Sequence, residues 1–156
     1  MSKRIISKSV LAIIMIGFVL SVSSCKKEER LIIGEWKYEK IELKEFACSD
    51  PLMDAVFRIG FQMGAGEIIK EFGLESIEFT KDGKFISKKE TAKYKVNGNR
   101  LTITESNYIP GSFDISFEKK IMYLDINAME LAAEDAADLI ESGVTKLTMR
   151  VTLNKQ

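Results

Sequence analysis

Over most of its 156 residues the chain alternates apolar and polar positions in short runs separated by turn residues, the period of half-buried antiparallel strands. Ile77 and Phe79 alternate with Glu78 and Thr80 before an Asp82-Gly83 turn, and the next run carries Phe85. Ala92, Tyr94 and Val96 alternate with Lys93 and Lys95 and lead into Asn97-Gly98, the dipeptide best suited to a two-residue hairpin because both residues tolerate positive φ. Leu101 and Ile103 follow. Beyond Pro110 and Gly111, Phe113, Ile115 and Phe117 alternate with Asp114, Ser116 and Glu118, and Lys119-Lys120 turns the chain into Ile121–Ile126. That segment is apolar on both faces and so needs cover on its outer side. Leu147, Met149, Val151 and Leu153 alternate with Thr148, Arg150 and Thr152 as a terminal strand.

Three stretches depart from this period. From Gly34 to Leu43 a strand is expected, but Trp36 and Tyr38 share one face while Ile41 and Leu43 share the other, which requires a bulge or sharp bend near Glu39 and Lys40. Ser49, Asp50 and Pro51 then make a helix start, with a capping side chain and proline at the first helical position. Leu52, Val56, Ile59 and Met63 recur at helical spacing with Met53 and Phe57 beside them, Gly64-Ala65-Gly66 interrupts, Glu67–Phe72 adds a further turn, and Gly73 supplies a left-handed stop. Ala128–Ser142 shows Met129, Ala132, Ala133, Ala136, Leu139 and Ile140 at helical spacing, ends at Gly143, and is the expected cover for Ile121–Ile126. The pattern therefore predicts a mainly β fold of eight antiparallel strands, with a helical insertion after the first strand and a second helix before the last. Eight strands with one apolar face each hide their edges by closing into a barrel, and an open sandwich is the alternative. In a barrel, the expected lining is Trp36, Tyr38, Ile77, Phe79, Phe85, Tyr94, Leu101, Ile103, Phe113, Phe117, Tyr123 and Met149.

The first thirty residues read differently. Lys3, Arg4 and Lys8 precede an apolar run from Val10 to Leu20, which is the layout of a secretory signal. A permanent membrane span is the competing reading, but spanning takes roughly 20 apolar residues and this run is broken by Ser21, Ser23 and Ser24. Val22-Ser23-Ser24-Cys25 resembles the lipobox of bacterial lipoproteins, an aliphatic residue and two small ones before a cysteine. That resemblance implies a signal peptide over residues 1–24, cleavage between Ser24 and Cys25, and a diacylglyceryl group on the Cys25 thiol. Two or three acyl chains hold a protein to a membrane firmly where one is marginal. Residues 25–30 are then a lipidated cysteine followed by the charged tether Lys26-Lys27-Glu28-Glu29-Arg30, and residues 31–156 form the domain. The lysine and acids after the cysteine also resemble a tag that sends lipoproteins of one bacterial group to the outer face of the outer membrane. Cell-envelope localisation, with the membrane as partner through the lipid anchor, is the expectation.

The domain itself resembles the lipocalin-like (calycin-type) domains found in bacterial lipoproteins, among them a family of unknown function. The residues that carry the resemblance are Gly34, Glu35 and Trp36, matching the lipocalin G-x-W on the first strand, together with the inserted helix, the repeated hairpins and the late helix. In lipocalins that tryptophan packs at the closed end of the barrel beneath an arginine from near the chain's end. Arg150 is the matching cation by position, although the parity of the last strand puts it opposite the apolar set.

Composition narrows the chemistry. There is no histidine, which removes imidazole bases, His-activated nucleophiles and the commonest zinc ligand. Of 23 basic and 23 acidic residues, only Lys3, Arg4 and Lys8 precede Cys25, so the remainder carries 20 against 23, a net charge near −3. No nucleic-acid partner is expected from such a balance. Cys25 and Cys48 could pair only if Cys25 were not lipidated. Cys48, just before the first helix, is either a semi-buried cysteine or a thiol activated by the helix end. The acid pairs Glu28/Glu29 and Glu134/Asp135 read as surface charge, and Asp135, Asp138 and Glu141 lack the convergent oxygens of a calcium loop. Gly64-Ala65-Gly66 lacks the lysine and the preceding strand of a phosphate loop. Neither cofactor, metal nor catalytic residue is expected. Two functions lead: non-enzymatic binding of a small apolar or amphipathic ligand, or a packed interaction module displayed at the cell surface, with the first helix as contact element, lid or plug; an enzyme is the third reading, which a cluster of buried, converging acids or a perturbed Cys48 would revive.

Overall fold

The computed structural model describes residues 27–109, 111–131 and 140–156. Its centre is a closed barrel of eight antiparallel strands in sequence order, β1 (Gly34–Cys48), β2 (Ser76–Phe79), β3 (Lys84–Ser87), β4 (Thr91–Asn97), β5 (Arg100–Thr104), β6 (Gly111–Glu118), β7 (Ile121–Asn127) and β8 (Val144–Lys155), with β8 pairing back onto β1. Closure removes both exposed sheet edges. Three helices accompany it among the described residues: α1 (27–32), α2 (Pro51–Glu71) and α3 (Ala128–Leu131).

β1 is the strand on which the arrangement turns. It pairs with β2 only from Gly34 to Lys37, but with β8 along eleven positions from Trp36 to Cys48. The register slips between Tyr38 and Lys40, where the apolar phase of the sequence changes, and again between Leu43 and Glu45 and at Ala47/Cys48. The first two slips each add a residue on β1 and the third adds one, Thr145, on β8, and such insertions increase the local twist. The first keeps Trp36 and Tyr38 on the same inner face as Ile41 and Leu43, whose partners Val151 and Met149 belong to the core or pack on it. The strand thus runs five residues past the expected Leu43, carried by its pairing to β8.

The core runs through the barrel from Trp36, near the start of β1, to Ile126 on β7. Trp36, Phe79, Phe85, Phe113, Leu101, Met122, Val151 and Leu153 are fully buried and form one cluster with Ile32, Ile69 and Leu74. Burial of each such side chain contributes roughly 1.5–3 kcal/mol. Trp36 is fixed twice: its Nε1 donates to the Ile32 carbonyl at 2.7 Å, which ties α1 to the barrel, and the Lys155 ammonium lies 5.1 Å from the ring centroid while donating to the Leu31 carbonyl. The cation over the tryptophan is therefore Lys155, five residues beyond the expected Arg150 on the same strand. Arg150 points outward, as its parity implies, and stacks on Tyr123 at 5.1 Å.

α2 is continuous from Pro51 to Glu71. Asp50 caps it, accepting from the backbone N–H of Leu52 at 2.8 Å and of Met53 at 3.4 Å. At the other end Gly73, with φ +67°, donates to the Lys70 carbonyl and Leu74 donates to that of Ile69, a Schellman closure with both apolar members in the core. The expected break at Gly64-Ala65-Gly66 is absent. Two helix-interior glycines cost about 1 kcal/mol each relative to alanine, and burial of Ala65 and Ile69 against the barrel offsets this. The second expected helix is present at Ala128–Leu131 and in helical residues 140 and 141; positions 132–139 lie outside the described residues.

Candidate functional site

Because β2 leaves β1 at Lys37, the stretch of β1 beyond it has no strand neighbour on that side, and α2 packs there instead. Phe57 stacks on Phe46 of β1 with centroids 4.3 Å apart and planes 10° from parallel, and Phe61 continues the stack. The Arg58 guanidinium sits 5.3 Å from the Phe46 ring, donates to the Phe46 carbonyl and pairs with Asp54 one turn earlier at 2.8 Å. The Asp54 carboxylate raises the Arg58 pKa, so this cation is charged at every accessible pH. Further along, Ile69 reaches the core.

Between these two attachments lies a crevice of about 440 Å³ lined by Ile41, Glu42 and Leu43 of β1 and Arg58, Phe61, Gln62 and Ala65 of α2. Four of its lining residues are apolar (Ile41, Leu43, Phe61, Ala65) and three are polar (Glu42, Arg58, Gln62), a mixed lining and a size suited to a small amphipathic molecule. Set beside protein-family models, curated proteins and solved structures, the chain has no significant match to any of them.

Eleven of the residues expected to line the barrel belong to its core or pack against it. Trp36, Ile77, Phe79, Phe85, Leu101, Ile103 and Phe113 are buried against one another, and Tyr38, Tyr94, Phe117 and Met149 pack on that cluster partly exposed. Tyr94 meets the Phe79 ring edge-on at 4.9 Å and donates its hydroxyl to the Thr80 carbonyl. Tyr123 is a correction: on β7 the inward set is Met122, Leu124 and Ile126, and Tyr123 is on the outer face. Its phase was ambiguous because both faces of Ile121–Ile126 are apolar. Of the crevice residues, Ile41 and Leu43 were visible as an apolar pair on the shifted phase of β1. Phe61, Ala65 and Ile69 follow Phe57 at four-residue intervals, a second helical stripe hidden beside the more obvious Leu52, Val56, Ile59 and Met63.

Elsewhere charge is used structurally. Arg100, Asp114, Asp125, Arg150 and Glu42 occupy one continuous cross-strand row on the outer face from β5 round to β1. Asp125 receives two bonds from Arg150, at 2.7 and 2.9 Å, and one from Lys44 at 2.6 Å. Burial opposes its ionisation, but Arg150 and Lys44 together hold its carboxyl below the usual aspartate value. The groove beside this row, about 230 Å³, is lined by Lys44, Asp125, Arg100, Asp114 and Glu130, which are salt-bridged among themselves. Cys48 is half-buried with its Sγ 3.7 Å from the Ser142 carbonyl, while Asp50 provides the cap of α2. Glu28 and Glu29 fall on α1. Ser24, Cys25, Glu134, Asp135 and Asp138 lie outside the described residues. No helix among the described residues is long and apolar enough to cross a membrane.

Proposed function

We propose that the chain is a lipid-anchored, non-enzymatic binding protein of a bacterial cell envelope, outer-membrane in location, whose lipocalin-like barrel takes a small apolar or amphipathic ligand between α2 and β1. The observation that carries the reading is the crevice of about 440 Å³ between α2 and the first strand of a closed eight-strand barrel, lined by Ile41, Leu43, Phe61 and Ala65 together with Glu42, Arg58 and Gln62. A ligand there would place its apolar body against β1 and its polar end beside the Arg58–Asp54 pair. The anchor rests on Val22-Ser23-Ser24-Cys25 and the apolar run before it.

Two experiments test the parts separately. Incorporation of labelled palmitate into the wild-type chain, lost in Cys25→Ser, supports the anchor; an unlabelled wild-type chain sinks it. For the crevice, the fluorescent apolar probe N-phenyl-1-naphthylamine is titrated into the purified chain. Saturable enhancement that disappears in Leu43→Trp, with an unchanged circular dichroism spectrum, is expected. Enhancement equal in both proteins would remove the crevice as the site.

A further inference from the structure

The obvious helical stripe of the sequence, Leu52, Val56, Ile59 and Met63, is the one turned away from the barrel. Met63 is 83% exposed, Leu52 71%, Ile59 61% and Val56 56%, with Met53 beside them at 42%. The face at i, i+4, i+7 and i+11 is thus apolar and open, while Phe57, Phe61, Ala65 and Ile69 on the opposite face hold α2 to the barrel. Asp54 and Arg58 are the only charged residues from Pro51 to Gly66, and they bond to each other, with Arg58 also turned onto Phe46 of β1. The outer half of these four turns therefore carries no charge.

We infer that this face is the contact surface between two copies of the chain, packed α2 against α2 about a twofold axis near Ile59 and Gly60. Three observations select a second copy. The open side chains present on the order of 600 Å² of apolar surface, the upper end of what a monomer exposes as one patch. Two such faces together bury about 1,200 Å², the lower bound for a stable specific interface. Gly60 and Gly64 border the stripe one turn apart, and no atom lies within 4 Å of where a Cβ would stand on either, so the partner helix has room to approach the backbone closely. An uncharged face is also complementary to itself, as an isologous contact demands.

A bilayer fits the same face less well. Surface-bound helices border their apolar stripe with lysine and arginine, and the first four turns of α2 have no cation on the outer side. In addition, β1 separates α1 from the start of α2 by 15 residues, roughly 50 Å at about 3.3 Å per residue. The stripe thus begins at the end of β1 remote from α1.

The test is photo-cross-linking of the full chain in intact cells, with p-benzoylphenylalanine replacing Ile59, or Lys95 on β4 as the comparison position. Position 59 is expected to give an ultraviolet-dependent adduct of twice the chain's mass whose peptides all come from this sequence, and position 95 to give at least tenfold less. Adding Val56→Lys or Met63→Lys, both at exposed positions where folding is unaffected, lowers the yield at least tenfold. An adduct from position 59 to phospholipid or to a different protein, no adduct at all, equal yields from 59 and 95, or yields indifferent to the two lysines would each overturn the proposal.

Discussion

Replacing Trp36 with phenylalanine tests how α1 is tied to the barrel. The indole N–H donates to the Ile32 carbonyl, and Ile32 itself has no exposed surface. Phenylalanine leaves that carbonyl without its donor, a loss of about 1–3 kcal/mol. The smaller ring also vacates about 40 Å³, worth ~1 kcal/mol at 24 cal/mol per Å³ if the site does not collapse. Lys155 keeps a ring to sit over, and its bond to Leu31 is untouched. The expected total is about 2–4 kcal/mol, read as a lowered urea midpoint with unchanged slope by far-ultraviolet circular dichroism. Hydrogen exchange should quicken at residues 27–33 more than at β5 and β6, because the lost bond ties α1 specifically. A penalty under ~1 kcal/mol, or faster exchange spread evenly over the barrel, would refute the view that Trp36 joins α1 to the core.

Other positions give sharper single effects. Asp125→Asn should weaken the domain at neutral pH and flatten its acid sensitivity: the native carboxyl titrates below its unfolded value, so its stabilisation is full above that value and is lost as pH falls through the folded pKa, which denaturation midpoints of both proteins between pH 2 and 7 will show. The Asp82 carboxyl, held by Lys84 and Thr80, should titrate at about 2 when followed by carbon NMR; a midpoint near 3.8 would contradict the turn geometry. Gly73→Ala forces a Cβ to within 2.6 Å of the Lys89 side chain at φ +67° and should cost at least ~1–2 kcal/mol in thermal unfolding. Thr152→Val removes a buried hydroxyl that has no partner among the described residues, and chemical denaturation should show the variant more stable by about 1 kcal/mol.

The strands were legible because each hairpin agrees with its own turn chemistry: Asn97-Gly98 and the Tyr94/Leu101 alternation lead to the β4–β5 pairing seen, and Trp36–Leu43 announces its bulge by a change of phase. The Asp50-Pro51 start of α2 was equally local. What escaped the sequence were decisions made by tertiary contact. Alternation places Tyr123 on a face but does not say which face is inside when Met122, Leu124 and Ile126 are apolar too. Two apolar stripes compete on α2, and only the stack of Phe57 on Phe46 makes the aromatic one the buried one. Lys155 became the cation over Trp36 because the two slips in β1 set which residue of β8 arrives there, a register that no local pattern encodes.

The four-residue junction between β1 and β2 is the shortest part of the sheet's circumference shared by β1, set against eleven pairings on its other flank. A cylinder latched over so little of its height is a rolled ribbon with a slit, and the 21-residue α2 is spliced in where the ribbon's first two strands part company. Lengthening or shortening that one insertion would widen or narrow the slit while the seven strands β2 to β8 kept their register, which makes the size of the opening adjustable independently of the rest of the wall.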